Sequence, residues 1–420
     1  MANMKIAIIG SGISGLGAAY LLNKHADITV YEKNRVVGGH SRTLEINYDG
    51  TKIPVDTGFI VFNNRNYPHL TKLFEILGVA RTKSDMSFGA SIDEGKLEWS
   101  AQSLFSVFGQ KSNFFNPKFY SMLLDMRKFF KCAPQVLERA NIITLGEYLD
   151  ELKMGKGFRD WFLLPMGAAI WSCPTSTMLE FPAQTFVRFF QNHGLLTVSD
   201  QPTWYTVKGG SKEYVKRLTR SFADKILTDC GVVSVKRDNK SVKITDTKGE
   251  TKTYDRVIFA CHANEALALL DKPSAEEKSI LSAFTYQENV AYLHRDESLM
   301  PKRKNCWASW IYSRDSSKPE NSIAVTYWMN NLQGIDKAKP VFVTLNPIFE
   351  PKAELTFDKH TFSHPVFTKE AIAAQDKIEA LQGVNNSWYC GAYTRYGFHE
   401  DGLLSAVNVV KNMGVTIPWE

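Results

Sequence analysis

Three glycines and one acid near the start of the chain have the types and spacing to hold a dinucleotide. Gly10, Gly12 and Gly15 form a Gly-x-Gly-x-x-Gly run that includes Ile13 and Ser14, and Glu32 closes the later run Asp27-Ile-Thr-Val-Tyr-Glu32, with Lys33 next. Gly10 permits a tight turn, Gly12 lets the backbone approach a pyrophosphate, and Gly15 lets helix and strand pack closely. Unpaired N–H groups and the positive dipole end of a helix N-terminus favour phosphate oxygens. Glu32 is placed to accept hydrogen bonds from a ribose hydroxyl. Such a glycine run alone is a weak signal, and its order with strand, helix, strand and acid makes it specific.

That order defines the positioning elements. The apolar run Ile6 to Ile9 predicts a strand, the glycine run opens a helix through Leu22, and Ile28 to Tyr31 predicts a second, parallel strand. A second glycine pair, Gly38-Gly39, follows with His40, Ser41, Arg42 and Thr43, and is placed to approach the same pyrophosphate from its other side. A Rossmann unit for NAD does not need this extension.

The stretch resembles FAD enzymes of the flavin amine oxidase superfamily, which usually carry Gly-Gly-Arg where this chain has Gly38-Gly39-His40. With His40 in place of the arginine, the pyrophosphate charge falls either to Arg42 or to backbone and water. Thr57, Gly58 and Phe59 match the Asp-x-Gly turn of that superfamily, whose backbone passes near the flavin ring. Val232 matches the valine whose backbone meets the adenine. The C-terminal run from Trp388 to Val407, with Gly391, Asp401, Leu403 and Ser405, is similar to the closing flavin motif. There the last helix would aim its N-terminus at the pyrimidine edge of the ring, where charge builds on reduction. The resemblance implies FAD as cofactor. It also implies an α/β fold of two domains: a Rossmann-like FAD-binding domain of glutathione reductase/amine oxidase type, and a substrate domain of sheet and helices.

Composition agrees. At 420 residues, 44% hydrophobic and 22% charged, the chain has ample apolar material for two globular domains. A net charge of +6 without a basic stripe interleaved with aromatics gives no nucleic-acid signature. Six scattered cysteines (Cys132, Cys173, Cys230, Cys261, Cys306, Cys390) suggest reduced thiols. No metal is expected, since Pro365 and its neighbours argue against His360 and His364 sharing a helical face. No apolar run reaches membrane-spanning length, and a cytoplasmic location, with peripheral contact at the inner face of the membrane, is expected. No second glycine fingerprint marks an NAD(P)H site, which favours direct reduction of flavin by an organic substrate.

The expected FAD-binding domain comprises residues 1–65, 205–275 and 385–420, and the substrate domain residues 66–204 and 276–384. The first substrate segment reads as largely helical, with an apolar stripe from Phe119 to Leu137 kinked at Pro134. The second carries strand-like runs at 289–293, 322–328 and 341–345. The runs Asp56–Asn63, Pro165–Ser172, Asn192–Leu196, Trp204–Tyr214 and Trp307–Trp310 resemble one subgroup, related to the N-terminal FAD oxidoreductase-like domain of plant cyclopropane fatty acid synthases. That resemblance implies an oxidoreductase in which an unsaturated or methyl-branched acyl chain passes hydride to flavin N5. Association with an acyl-modifying methyltransferase is implied too. Oxidation of a small amine is the chemical rival, and an FAD-bound, non-catalytic partner of a lipid methyltransferase is a third reading.

Candidates for chemistry are His193, His399 and Lys208, and candidate pocket walls are Trp171, Trp204, Tyr205, Tyr327 and Phe398. An apolar tunnel walled by the 119–137 helix, Trp161–Trp171 and the strands near Tyr327 is expected. Lys118, Arg127, Lys128 and Lys131 would lie at its mouth.

Overall fold

The computed structural model describes residues 4–171, 175–197, 201–238, 240–317 and 323–420. Ser172, Cys173 and Ser322 lie outside them. Lys5–Ile9 forms the central strand of a five-stranded parallel sheet, ordered Ile226–Leu227, Asp27–Tyr31, Lys5–Ile9, Arg256–Phe259, Ser387–Tyr389. Ile6, Ala7 and Ile8 are wholly buried, as a parallel strand covered on both faces requires. The helix Ile13–Leu22 packs on this sheet and against the closing helix His399–Asn412. Small residues set that approach: a Cβ on Gly17 would stand 2.7 Å from Leu403 Cδ1, and one on Gly402 2.8 Å from Ile13 Cγ2.

A seven-stranded sheet makes the second body, ordered Thr356–Val366, Thr285–His294, Phe342–Leu345, Ile323–Trp328, Trp310–Arg314, Phe88–Ile92, Leu97–Ser100. Its last two strands come from the segment read as largely helical. Their alternating apolar residues cover one sheet face, so period two prevails over the helical reading there. The rest of that segment is helical, including Pro117–Cys132, Leu164–Trp171 and Ala183–Asn192. Pro134 does not kink a continuous helix. The α-helix ends at Cys132 and a 3-10 turn Ala133–Glu138 follows, because proline has no N–H to continue the ladder.

Two smaller sheets join the bodies. Thr43–Tyr48 pairs with Thr51–Asp56, and Trp204–Val207 lies between Val61–Asn63 and Arg81–Ser84. No helix among the described residues is long and apolar enough to cross a membrane.

Candidate active site

The glycine cradle is built from contacts that exclude side chains. Gly10 has φ +106°, and a Cβ there would stand 2.7 Å from Ala260 O; at Gly15 it would fall 1.9 Å from Gly10 O. Gly12 is different. It precedes the helix with φ −69° and no side-chain cap, and nothing lies within 4 Å of its ideal Cβ. Gly39, at φ +56°, approaches from the other side, its ideal Cβ only 3.0 Å from Gly12 Cα. Gly38 N–H donates to Ser11 O at 2.9 Å. Ile13 and Ser14 form the buried first turn behind this opening.

Glu32 is buried at the end of its strand. Its carboxylate accepts from Ser11 N–H (3.1 Å), Ser11 Oγ (2.5 Å) and Asn34 N–H (2.8 Å). Its own carbonyl accepts from Cys230 N–H at 2.9 Å, which sets Val232, at the start of its strand, close by in the chain. An uncapped helix N-terminus open at Gly12 and a carboxylate beside it fit the pyrophosphate and ribose of FAD. Lys33 turns outward to Glu265 at 2.6 Å.

Neither side chain that could have replaced the missing arginine stands as an unpaired cation. Arg42 donates to both oxygens of Asp358 (2.9 and 3.3 Å) and to Thr57 Oγ1 (3.1 Å). His40 packs against Phe362 and His364, with ring centroids 5.1 and 5.3 Å away. Its Nε2 is buried without a hydrogen-bond partner, and burial holds its pKa well below the ordinary histidine value. Of the two expectations for the pyrophosphate charge, backbone N–H groups with water match this geometry, and Arg42 is committed to Asp358.

The Asp-Thr-Gly turn is stapled from several directions. Asp56 accepts from Thr43 Oγ1 (2.5 Å), Ser211 N–H (2.9 Å), Ser211 Oγ (2.8 Å) and Gln333 Nε2 (2.9 Å). Burial raises its pKa to about 6 despite these donors. Gly58 lies so close to His40 that a Cβ would fall 2.2 Å from His40 O, and Phe59 N–H donates to that same oxygen at 2.7 Å. The Phe59 ring stacks on His399 at 3.9 Å.

His399 opens the closing helix and belongs to a polar chain. Its Nε2 lies 2.7 Å from Tyr214 Oη, and that hydroxyl is hydrogen-bonded to Ser41 Oγ. Burial lowers its pKa to about 3, so the imidazole is neutral at pH 7. Behind it, Asp401 accepts from Phe398 N–H at 2.9 Å and Ser405 Oγ accepts from Gly391 N–H at 2.8 Å. Leu403 is fully buried against Gly17. Glu400 accepts from His69 N–H (2.9 Å) and Leu70 N–H (3.0 Å), capping the helix Pro68–Ile76. Burial raises its pKa to about 7.

His193 and Phe398 are brought together on the substrate side. His193 Nδ1 is 2.9 Å from Phe189 O, its ring stacks on Phe189 at 3.8 Å, and Phe398 stacks on Phe189 at 5.0 Å. A carbonyl only accepts, so Nδ1 carries the proton and Nε2 keeps the lone pair. Burial lowers this histidine to about 4. Trp171 joins the same cluster through Phe189 (4.7 Å) and Phe181 (5.0 Å), its Nε1 buried and without a partner. Tyr327 meets Trp310 at 4.8 Å, Trp204 meets Tyr67 at 6.3 Å, and Tyr205 lies under Arg81. The walls expected of a tunnel fall in one apolar cluster, packed here as core.

Lys208 does not join these groups. It is exposed, and its backbone N–H donates to Ala80 O at 2.9 Å. The role considered for it needs a desolvated ammonium.

Several residues of the site were not singled out from the sequence as site residues. Tyr214, Asp358 and His364 reach it only through folding, from helix and strand positions with no local motif. Glu400 reads locally as an ordinary first-turn acid, and its partners lie some 330 residues away.

The family model for flavin containing amine oxidoreductase matches residues 13–334. Solved structures of similar fold include a CLA-producing fatty acid isomerase from P. acnes, with TM-score 0.70, 15% identity, 98% of this chain and 99% of that one covered. Wild-type putrescine oxidase gives TM-score 0.69 at 14% identity, covering 98% and 99% of the two chains. Cyclohexylamine oxidase from Brevibacterium oxydans IH-35A gives 0.67 at 15%, covering 98% and 100%. An uncharacterized protein of Methanocaldococcus jannaschii is 29% identical over 196 residues, a match spanning 44% of each chain. With its uncapped glycine cradle, buried Glu32 and closing helix, this chain belongs to the flavin containing amine oxidoreductase family and is an FAD-dependent oxidoreductase.

Proposed function

We propose that the enzyme dehydrogenates or desaturates an unsaturated or methyl-branched fatty acyl chain. One observation carries this reading. Two rows of register partners cross the seven-stranded sheet on its inner face: Phe88, Trp310, Tyr327, Val343, Leu293, and Ala90, Tyr312, Val325, Leu345, Ala291. Carbon or aromatic side chains fill both rows until the outermost strand, where Asp358 and His360 end them. Asp358 is neutralised by Arg42. A cationic amine would want an unpaired carboxylate on such a face, whereas an acyl chain gains from apolar walls. The similar fatty acid isomerase structure supports the same substrate class.

FAD, held by the cradle and by Glu32, supplies the hydride acceptor when bound. His193, neutral and lowered to about 4, is a poor base at pH 7, so it orients the chain and does not abstract a proton. The substrate must therefore carry an activated C–H bond, as an allylic position does. The aromatic shell of Trp171, Phe189 and Phe398 excludes water from that carbon.

Phe398 rests directly on Phe189 and His399 directly on Phe59, so neither closing-motif ring faces the other across a gap wide enough for an amine. The test is anaerobic mixing of the yellow holoenzyme with unsaturated and branched fatty acids and, separately, with amines. Bleaching by acyl chains is expected. Bleaching by amines alone would overturn the proposal.

A further inference from the structure

We infer that the segment around Phe105 to Lys131 is a docking surface for an anionic lipid bilayer. Five of the eleven large apolar side chains that stand exposed among the described residues fall here: Phe105, Phe114, Phe115, Tyr120 and Leu124. Phe105 is 91% and Phe115 89% exposed, far beyond what a solvated surface gains from aromatic rings. The rings are fixed outward. Ser103 closes a capping box on the short helix Leu104–Val107, Phe114 stacks on Phe108 at 4.3 Å, and Tyr120 Oη donates to Phe114 O at 3.2 Å.

Charge chooses the occupant. Residues 104–131 hold five basic side chains (Lys111, Lys118, Arg127, Lys128, Lys131) and one acid, Asp125, a net +4 within a chain of net +6. Asp125 is turned inward, accepting from Gly155 N–H at 2.9 Å, and Lys128 reaches Leu152 O at 2.6 Å. Lys111, Lys118, Arg127 and Lys131 are exposed. On the helix Pro117–Cys132, Tyr120, Leu124, Arg127 and Lys131 recur at three- and four-residue spacing along the outer stripe, while Phe119, Met122 and Phe129 enter the core. Aromatic rings flanked by lysines suit the headgroup region: the rings sit at the polar–apolar boundary and the cations meet anionic phosphates. The inference does not depend on which substrate reduces the flavin.

Holoenzyme should be sedimented with vesicles of saturated phosphatidylcholine, alone or mixed with saturated phosphatidylglycerol, at low and high salt. Saturated chains keep active-site capture of an unsaturated chain from mimicking surface binding. Binding to the mixed vesicles, weakened by salt, is expected. Lys118→Gln and Lys131→Gln should each lower vesicle affinity about fivefold, the equivalent of about 1 kcal/mol per basic residue. Phe105→Ser together with Phe115→Ser should lower it by about tenfold or more, with flavin spectrum and Tm unchanged. Wild-type protein remaining in the supernatant with both vesicles, or variants that bind as well as wild type, would overturn the inference. So would concentration-dependent self-association that the Phe variants abolish in the absence of lipid binding, since it would assign the patch to a protein interface.

Discussion

Gly12 and Gly39, twenty-seven residues apart, touch backbone to backbone: a Cβ on Gly39 would stand 3.0 Å from Gly12 Cα. Gly12 alone of the cradle glycines has open space where a side chain would go, and its φ of −69° suits any residue. Gly12→Val should therefore fold with near-native Tm and lose FAD. Overpacking of the cofactor's approach costs about 1–3 kcal/mol or more, so affinity should fall at least tenfold. Titration of apo-protein with FAD reads the effect directly; unchanged affinity would place the pyrophosphate elsewhere.

Glu32 ties the glycine loop to its own strand through Ser11 and Asn34. Glu32→Ala should lower FAD affinity by about 10- to 100-fold, since hydrogen bonds to a charged group contribute about 1.5–3 kcal/mol each way. Glu32→Gln should recover part of the loss. The measurement is flavin fluorescence quenching during reconstitution.

Arg42 and Asp358 join the flavin-side hairpin to the substrate sheet across 316 residues. Arg42→Met should lower stability by about 1–2 kcal/mol, a partly buried bidentate pair being stronger than an exposed one. FAD affinity should change little. A large loss of FAD affinity with unchanged urea midpoint would show that the guanidinium serves the pyrophosphate instead.

Glu400 makes stability depend on pH in a direction set by its raised pKa, about 7 against an ordinary 4.5. Between those values the folded state holds a proton that the unfolded chain has released, so stability falls as pH rises through the window and levels off above it. The buried histidines, lowered by desolvation, act in the opposite direction below pH 6.5, so the comparison must be with a variant. Relative to wild type, Glu400→Gln should gain up to about 3 kcal/mol between pH 5 and 8. Denaturant unfolding of both proteins across that range checks it; parallel curves would mean that Glu400 titrates normally.

The flavin cradle was legible because its demands are local. Gly10, Gly15 and the strand before them are read from neighbours in sequence, and the structure closes both glycines against backbone within a few ångströms. The partners of Arg42, His399 and Glu400 were not legible. Asp358, Tyr214 and the His69–Leu70 N–H groups lie hundreds of residues from them, and no periodicity connects them. Phe88–Ile92 and Leu97–Ser100 were absorbed into a helical reading because short strands offer too few residues to display period two against surrounding helical stripes. Lys208 was chosen by its place before Gly209-Gly210, and spacing alone does not tell which way a side chain on a turn points.

The parallel sheet has a consequence for biosynthesis. Its central strand is made first and its fifth strand, Ser387–Tyr389, almost last, while the helix that seals Gly17 begins only at His399. A chain emerging from the ribosome at about 5–20 residues per second thus holds an unfinished nucleotide site through nearly all of its synthesis. Cofactor capture is a late event, coupled to release of the C-terminus. Nascent chains halted before residue 387 should emerge colourless even in excess FAD, and exposed Ile and Val of the waiting strands make that interval the one in which a chaperone is most needed.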